Sequence, residues 1–249
     1  MSLIKRKTRP GKQDRLKCSA VIAAAGSSKR MNGGDKLFLN ICGAPVLSHT
    51  LAGFQKCGLI DEIIVVAHSD MLERVIEICK EYCIDKAAMV IVGGSTRLDS
   101  VRNGVLAVSK ENRLIAIHDG ARPCVDIDTI ERAIVAASEH NAAAPAIPVS
   151  STIKKVINGT VIETVDRESL FEIQTPQVFD ADLIKAALAN AANKSLNITD
   201  DCMAVELLGH PVHITEGSRN NIKLTTREDM SIAEAILLPS NMPLPNKDI

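Results

Sequence analysis

Short apolar runs alternate with amphipathic segments along most of this chain, and this rhythm restricts the possible folds more than any other feature. The runs consist almost entirely of Val, Ile and Ala, so both faces of each strand are expected to be covered. Strands that alternate with helices build a mostly parallel sheet, which predicts a three-layer α/β/α domain. Strands are predicted at Ala20–Ala25, Glu62–Ala67, Ala88–Val92, Leu114–His118 and Ala143–Val149, and helices at Pro45–Lys56, Met71–Tyr82, Arg97–Val108 and Asp128–His140.

One segment interrupts that rhythm. Two β-prone runs, Thr152–Ile157 and Thr160–Val165, flank Asn158-Gly159, the dipeptide that most favours a tight type I′ turn. An antiparallel β-arm is therefore predicted at about 150–168. A lone two-stranded hairpin is marginal in water, so the arm is expected either to pack against a second subunit or to lie flat on its own domain. Further helices are predicted at Ala181–Ala192, after Thr199-Asp200-Asp201, and from Thr226 to Leu238.

The composition is that of an ordinary globular domain, and it excludes several kinds of partner. At 249 residues with 46% apolar residues, the chain can bury a full core. The formal charge is -1 with Lys and Arg spread along the sequence, and Trp is absent, so no nucleic-acid partner is expected. No apolar run approaches the roughly 20 residues of a membrane span, so no membrane partner is expected either.

The cysteines indicate a reducing compartment. There are seven, they are scattered, and none forms Cys-x-x-Cys, which favours free thiols in a cytoplasmic protein. Cys79 and Cys83 lie four residues apart on a predicted helix, where they either share a metal or fill space as small apolar side chains.

Both ends of the chain are predicted to lie outside the folded domain. Residues 1–17 are basic and lack the apolar region of a secretory signal, so they are expected to form a flexible arm. The alternative is the end of a transit peptide, which would place the protein in a plastid-type organelle rather than in the cytoplasm. One domain, including the β-arm, is expected over 18–239, followed by a tail over 240–249.

The first predicted strand runs into a loop with the chemistry of a phosphate site. Val21-Ile-Ala-Ala-Ala-Gly-Ser-Ser-Lys-Arg-Met31 is followed by Asn32-Gly-Gly-Asp-Lys36. Small residues from Gly26 onward leave backbone N–H groups to face an anion, and Arg30 and Lys36 add positive charge. The spacing matches neither a P-loop nor a Gly-x-Gly-x-x-Gly fingerprint. The loop therefore suits a nucleoside triphosphate, with a basic solvated turn as the alternative.

Other polar clusters follow predicted strands or lie on the arm. In open α/β sheets, ligands bind at the carboxyl ends of strands, so these positions are the candidates for a site. The clusters are Gly93-Gly-Ser-Thr-Arg-Leu-Asp-Ser100, His118-Asp-Gly-Ala-Arg-Pro123, Thr152 with Thr164-Val-Asp-Arg167 and Gln174-Thr-Pro-Gln177, and Ile198-Thr-Asp200 with Asn221-Ile-Lys-Leu-Thr225.

Each cluster also has a purely structural interpretation. Gly93-Gly94 can be only a turn before a helix capped by Ser95 or Thr96, and His118 can be a satisfied core histidine. The remaining structural alternatives are a loop ion pair between Asp119 and Arg122, a surface ion pair of Arg167, and helix capping by Thr199 and Asp200.

Taken together and in this order, the motifs make the chain resemble the 2-C-methyl-D-erythritol 4-phosphate cytidylyltransferases of the non-mevalonate isoprenoid pathway. The resemblance runs from about Cys18 to Leu238. The chain departs from the family pattern at Asp35, where Pro is common, and at Ser95, where Asp is common. The resemblance implies a Rossmann-like nucleotidyltransferase fold with a protruding antiparallel β-arm.

The same resemblance implies a reaction between CTP and a polyol phosphate. Its products would be 4-diphosphocytidyl-2-C-methyl-D-erythritol and pyrophosphate, with Mg²⁺ bound mainly through the CTP phosphates and with protein ligands unassigned. It also implies a homodimer that exchanges β-arms. A ribitol 5-phosphate cytidylyltransferase and a non-catalytic nucleotide-sugar binding module are the alternatives.

The resemblance assigns a role to each matching residue. Positive charge near the reacting phosphates would be the main catalytic need. The implied catalytic residues are Arg30, Lys36, Lys223 and Arg167; the implied CTP-binding residues are Ala24, Ala25, Gly26, Ser27, Gly94, Ser100 and Asp119; and the implied acceptor-binding residues are Asp119, Arg122, Thr152, Arg167, Thr175 and Thr199.

Overall fold

The structure, a computed structural model, describes residues 16–26 and 36–238. Its strands are β1 (Cys18–Ala24), β2 (Asn40–Ile41), β3 (Ala44–Pro45), β4 (Glu62–Ala67), β5 (Ala87–Val92), β6 (Leu114–Asp119), β7 (Ala142–Pro148), β8 (Ile153–Ile157), β9 (Thr160–Val165), β10 (Phe171–Ile173), β11 (Gln177–Asp180) and β12 (His213–Glu216). Its helices are α1 (Val46–Lys56), α2 (Leu72–Glu81), α3 (Arg97–Ala107), α4 (Ile127–His140), α5 (Ala181–Asn193), α6 (Asp201–Glu206) and α7 (Arg227–Leu237).

The main sheet confirms the predicted α/β architecture. Its strand order is β10-β7-β11-β6-β1-β4-β5, and β12 also pairs with β7. The central pairs β6–β1, β1–β4 and β4–β5 are parallel, as is β12–β7. Short strands β10 and β11 run antiparallel to their neighbours. These short strands were not predicted, because three or four residues are too few for the period-2 pattern to be recognised.

Helices cover both faces of the sheet, as the uniformly apolar strands predict. Alternate residues of β1 face opposite sides, with Ile22 packed in one core and Val21 in the other. The first core receives side chains from α1, α2, α4 and α7, and the second from α3, α5 and α6. The result is the expected three-layer arrangement. In the described ranges, no helix is both long and apolar enough to cross a membrane.

The predicted β-arm is present and stands apart from the main sheet. Among the described residues, strands β8 and β9 pair only with each other, and Asn158 and Gly159 at the turn have φ values of 50° and 77°, as a type I′ turn requires. Every residue of β8 is exposed. The alternative that the arm lies flat on its own domain is therefore wrong, because such packing would bury one face of the strand.

The cysteines lie in the described part of the chain, whereas most of both chain ends lies outside it. All seven cysteines are free thiols, and Cys79 packs half-buried against the first core, as a small apolar side chain would. Cys83 follows the end of α2 and is exposed, so its predicted place on the helix as a space-filling side chain is wrong. The bulk of the predicted basic arm, residues 1–15, lies outside the described residues, as does the predicted tail. Lys17 is held to the domain, since its carbonyl accepts hydrogen bonds from the N–H groups of Arg113 and Leu114.

Candidate active site

A cleft of about 300 Å³ lies at the carboxyl edge of the central strands. This edge is where an open α/β sheet places its ligands. The cleft brings together seven of the residues predicted for the site, which are Ala25, Gly26, Lys36, Gly94, Ser100, Asp119 and Lys223. Its other described lining residues are Ala23, Leu37, His68, Ser95, Thr96, Arg97 and Ala121.

One wall of the cleft is the turn between β5 and α3. A Cβ on Gly93 would lie 2.6 Å from the Cβ of Ala25, and one on Gly94 would collide with Asp99, so neither position has room for a side chain. The hydroxyl of Ser100 accepts a hydrogen bond from the N–H of Gly94 at 3.0 Å and donates to the carbonyl of Thr96 at 2.9 Å. The turn is therefore held closed while its small residues leave the backbone accessible from the cleft.

The same turn is also a helix cap, as the structural interpretation predicted. Thr96 caps α3 through a capping box with Asp99, in which each side chain bonds the other residue's backbone N–H. Ser95 joins this cap by donating from its hydroxyl to the Asp99 carboxylate at 2.8 Å. Capping and cleft formation are thus performed by one segment, and Ser95, the departure from the family pattern, has a local structural role.

Asp119, at the end of β6, is the centre of charge in the cleft. Lys223 Nζ lies 2.9 Å from Asp119 Oδ2, Arg122 Nε lies 3.4 Å from the same oxygen, and Arg97 Nη2 lies 3.9 Å from Oδ1. Burial by itself would raise the pKa of Asp119, but these three cations hold that pKa well below its usual value. The predicted ion pair with Arg122 is therefore present, within a larger group of charges.

Lys36 and Lys223 approach the cleft from two other segments. The ammonium group of Lys36 donates to the carbonyl of Leu224 at 2.7 Å, and the N–H of Leu224 donates to the carbonyl of Ala121 at 2.9 Å. The loop after β6, the segment around Lys223 and the residue that ends the phosphate-loop sequence are thereby tied together. Two lysines thus line one cavity beside a carboxylate that is kept ionised.

His118 is a core histidine, as its structural interpretation held. It is fully buried, its Nε2 lies 3.4 Å from the carbonyl of Arg122, and its Nδ1 lies 2.9 Å from the hydroxyl of Thr175. A carbonyl can only accept, so Nε2 carries the proton and Nδ1 accepts from Thr175. Burial lowers the pKa of His118 to about 3, so the ring is neutral near pH 7.

Thr175 and Asn221 brace the loop behind Asp119. The hydroxyl of Thr175 accepts from the N–H of Asp119 at 3.2 Å, and the amide of Asn221 donates to the carbonyl of Thr175 at 2.8 Å. The carbonyl of Asn221 in turn accepts from the guanidinium of Arg122 at 2.7 Å. Thr175 is buried and does not line the cleft, so these contacts fix the positions of Asp119 and Arg122.

Other predicted site residues do not lie in the cleft of this chain. The side chain of Ala24 points into the first core, and Ala23 lines the cavity instead. Thr152 and Arg167 are exposed at the two ends of the arm, where Arg167 donates to the carbonyl of Ser150 at 2.8 Å. Thr199 is exposed, and Ser27 and Arg30, with Asp35, lie outside the described residues.

Asp200 caps α6, as predicted, whereas Thr199 does not, and the adjacent Asp201 has a role that was not predicted. The Asp200 carboxylate accepts from the N–H of Met203 at 2.9 Å. Asp201 is fully buried, and its carboxylate accepts hydrogen bonds from Nη1 and Nη2 of Arg97 at 3.0 Å and 2.7 Å. Arg97 belongs to the Gly-Gly-Ser-Thr-Arg motif, but no role was predicted for it. Its position in that motif was the available signal.

The chain is similar to known proteins over nearly all of its described residues. The family model described as 2-C-methyl-D-erythritol 4-phosphate cytidylyltransferase (IspD) matches residues 18–238. A relative of that name from Halalkalibacterium halodurans is 43% identical over 223 residues, which cover 89% of this chain and 97% of the relative. One from Dehalococcoides mccartyi is 43% identical over 222 residues, covering 89% of this chain and 96% of the relative.

Solved structures of similar proteins have the same fold. The crystal structure of 4-diphosphocytidyl-2C-methyl-D-erythritol synthase from Anaerococcus prevotii matches with a TM-score of 0.79 at 31% identity, covering 89% of this chain and 96% of that one. The 2-C-methyl-D-erythritol 4-phosphate cytidylyltransferase from Thermus thermophilus matches with a TM-score of 0.73 at 32% identity, covering 87% and 96% of the two chains.

Proposed function

Because the chain belongs to the 2-C-methyl-D-erythritol 4-phosphate cytidylyltransferase family, we propose that the cleft at the carboxyl edge of the sheet binds both substrates of that reaction. The enzyme transfers the cytidylyl group from CTP to 2-C-methyl-D-erythritol 4-phosphate and releases pyrophosphate. The cleft is supported as the site because Lys36, Lys223 and Asp119 line one cavity.

The chemistry needs positive charge more than a base. The attacking group is a phosphate monoester, which is largely dianionic at neutral pH because its second pKa is about 6. It must approach the α-phosphate of CTP, which is also anionic, while charge builds on the leaving pyrophosphate. No proton has to be removed from the nucleophile. His118 fits this account, since both its ring nitrogens are engaged inside the core.

Each part of the cleft has a place in this scheme. Lys36 and Lys223 neutralise the reacting phosphates, with Arg30 of the phosphate loop assigned to the same task by the family motif. The small residues Ala25 and Gly94 allow the cytosine and ribose to approach the backbone, and Ser100 holds that wall in position. Asp119 accepts from substrate hydroxyls, and Thr175 and Arg122 hold the Asp119 loop in place.

A divalent cation, Mg²⁺ by preference, fits as an ion carried by the triphosphate. Mg²⁺ keeps several waters and commonly binds phosphates with few protein ligands. Asp119 is the one carboxylate among the described lining residues, and no group of three His, Cys, Asp or Glu in the described ranges could hold an ion. Since three cations already face Asp119, the phosphates would be the main ligands. Bound there, the ion would supply further charge neutralisation.

The β-arm supports a homodimer with shared sites. Its exposed apolar side chains include Val156, Ile157, Val161 and Ile162, each about half exposed, and burial of such a surface would stabilise a dimer. Thr152 and Arg167 lie on the arm and not in the cleft of their own chain. In a dimer that exchanges arms, both residues would meet the acceptor in the neighbouring cleft. The seven free thiols support the proposal that the enzyme works in the reducing cytoplasm.

A pyrophosphate-release assay tests the reaction and its selectivity. The purified enzyme is offered CTP, ATP, GTP or UTP with either 2-C-methyl-D-erythritol 4-phosphate or ribitol 5-phosphate. CTP with the methylerythritol acceptor is expected to give the fastest release. Turnover with ribitol 5-phosphate and none with the methylerythritol acceptor would reject the proposed substrate in favour of the ribitol enzyme, and no turnover with any pair would favour a binding module.

The lysine assignment has its own test in the same assay. Lys36→Ala removes the positive charge that is proposed to lie beside the reacting phosphates. The kcat is therefore expected to fall at least about a hundredfold. Lys110→Ala, at an exposed lysine outside the cleft, is the matched control and should keep the parent rate. A folded Lys36→Ala enzyme with the parent kcat would contradict the assignment.

A further inference from the structure

The two carboxylate oxygens of Asp119 have different surroundings. Lys223 and Arg122 both approach Oδ2, at 2.9 Å and 3.4 Å. The cation near Oδ1 is Arg97, whose Nη2 lies 3.9 Å away, a distance too long for a direct hydrogen bond. Oδ1 therefore keeps its capacity to accept a hydrogen bond on the side that faces Arg97.

The guanidinium group of Arg97 is held by Asp201, and part of it remains accessible from the cleft. Its Nη1 and Nη2 form a fork on the carboxylate of Asp201, which is fully buried. A guanidinium carries five N–H donors, so this fork leaves others available. The Arg97 side chain is 35% exposed and lines the cavity. A salt bridge that served stability alone would not need to present its cation to a substrate cleft.

The distance between the two groups fits one bridging oxygen. Two atoms 3.9 Å apart can both lie about 2.8 Å from a third atom, which is hydrogen-bonding distance to each. The third atom must accept from Arg97 and donate to Asp119. A hydroxyl does both, whereas a carbonyl or phosphate oxygen has no proton to give and would be repelled by Oδ1. Among the oxygen atoms of the substrates, the pair is therefore selective for a hydroxyl group.

Resting on the proposed assignment of this cleft to CTP and its acceptor, we propose that Arg97 Nη2 and Asp119 Oδ1 together hold one substrate hydroxyl. This makes Arg97 a substrate-binding residue in addition to its pairing with Asp201. The hydroxyl belongs either to the ribose of CTP or to the polyol acceptor, since Arg97 follows the Gly94 turn in the chain and its guanidinium lies 3.9 Å from Asp119. The recognition chemistry is the same in both cases.

The test combines Arg97 variants with substrates that lack one hydroxyl. The analogues are 2′-deoxyCTP, 3′-deoxyCTP and methylerythritol phosphates without the 1-, 2- or 3-hydroxyl. In the parent, loss of the held hydroxyl leaves Arg97 Nη2 and Asp119 Oδ1 without their shared hydrogen-bond partner, so kcat/KM is expected to fall about tenfold to a hundredfold for one analogue. In an Arg97 variant, the same analogue should lose less than about threefold relative to the natural substrate.

Two variants of Arg97 are designed so that Asp201 is not left as an unpaired buried charge, which could unfold the protein. Arg97→Met would leave Asp201 as an uncompensated buried charge, so it is combined with Asp201→Asn. Arg97→Lys keeps a charge for Asp201 but loses the planar fork that orients the head. Thermal unfolding measured for each variant shows that the fold is retained. Arg102→Met, at an exposed arginine on the same helix and outside the cleft lining, is the matched control and should keep the parent's response to every analogue.

The outcomes separate this inference from the proposed function. Failure of the parent to release pyrophosphate from CTP with the methylerythritol acceptor would reject the proposed function itself. If the parent is active and one analogue's penalty disappears in the folded Arg97 variants, the inference holds and the analogue identifies the hydroxyl. If every analogue keeps its full penalty in those variants, Arg97 is only the structural partner of Asp201 and the inference is wrong.

Discussion

At the residue scale, the cleft depends on side chains whose pKa values differ from those they would have in water. Asp119 stays ionised although it is buried, because three cations from separate segments face it. The neighbouring His118 stays neutral because it is buried and its hydrogen bonds use one donor and one acceptor. Two adjacent residues of β6 therefore have opposite roles, one carrying charge into the cleft and one supporting the loop.

The neutral state of His118 predicts a pH dependence of stability. Its pKa falls from the usual 6.5 to about 3 in the folded protein, so below about pH 6.5 the unfolded chain binds a proton that the folded one does not. The stabilisation is present above pH 6.5 and is lost as the pH falls toward 3. When the pH is lowered from about 7 to 4.5, the neutral state of His118 should decrease the free energy of unfolding by about 3 kcal/mol.

Urea unfolding of the parent and of His118→Gln at both pH values checks this prediction. Glutamine keeps a donor for the carbonyl of Arg122 but has no proton to gain in this range. The variant is expected to be less stable at pH 7, yet to lose about 3 kcal/mol less than the parent on acidification. His68→Gln, at an exposed histidine, is the control and should follow the parent. Equal losses in parent and His118→Gln would contradict the burial argument.

At the scale of elements, the ends of helices build the cleft as well as stabilising the fold. The capping box of α3, formed by Thr96 and Asp99, sits in the cleft wall beside the Gly94 turn. The capping box of α7, formed by Thr226 and Asp229, has the same chemistry and lies outside the cleft lining. The chain thus contains a matched pair of caps, of which one can affect substrate binding.

Removing each cap separates stability from function. Thr96→Ala and Thr226→Ala are each expected to lower the free energy of unfolding by about 1 kcal/mol, since each exposes a backbone donor at a helix start. Only Thr96→Ala should also raise the KM for CTP, by about threefold to tenfold, because it loosens the turn that Ser100 closes. Denaturant unfolding and steady-state kinetics measure the two effects. A rise in KM of equal size in both variants would show that general destabilisation is the cause.

At the scale of the whole molecule, the elements with a strong local pattern were predictable and the contacts between distant elements were not. The predicted ends of β1, β4, β5, β6 and β7 agree with the structure to within two residues, because their apolar runs are bounded by polar turns. The insertion of β11 between β6 and β7 could not be predicted, since four residues carry no recognisable period. Sequence patterns describe neighbours along the chain, whereas sheet order is set by packing.

In the candidate site too, local motifs were predictable and contacts between distant residues were not. Gly94, Asp119 and Lys223 were identifiable because their motifs are contiguous and resemble a family. The pairing of Arg97 with Asp201 was not, because Asp201 lies 104 residues further along the chain and forms no local pattern with Arg97. Thr152 and Arg167 are exposed on the arm and do not line the cleft of their own chain, so their predicted contacts with the acceptor rest on the proposed exchange of arms.

The exchange of arms in the proposed homodimer makes a quantitative prediction. Lys36→Ala disables the cleft of its own chain, and Arg167→Ala disables the arm that would enter the neighbouring cleft. In a heterodimer of the two variants, one site combines both defects, and the other combines an intact cleft with an intact arm. Random mixing makes about half of the dimers hetero, so about a quarter of all sites, and of the parent activity, should return.

Co-expression of the two variants with different affinity tags, followed by sequential purification, isolates the heterodimer for the pyrophosphate-release assay. The purified heterodimer is expected to have about half the parent activity per dimer, because one of its two sites is intact. Arg167→Ala alone should raise the acceptor KM with little change for CTP, since the arm is predicted to meet the acceptor phosphate. Lys155→Ala, at an exposed lysine of the same arm, is the control and should leave both KM values near those of the parent. A verified heterodimer with no more activity than either variant would show that each site is built from one chain, and the exposed apolar arm would then need a different partner.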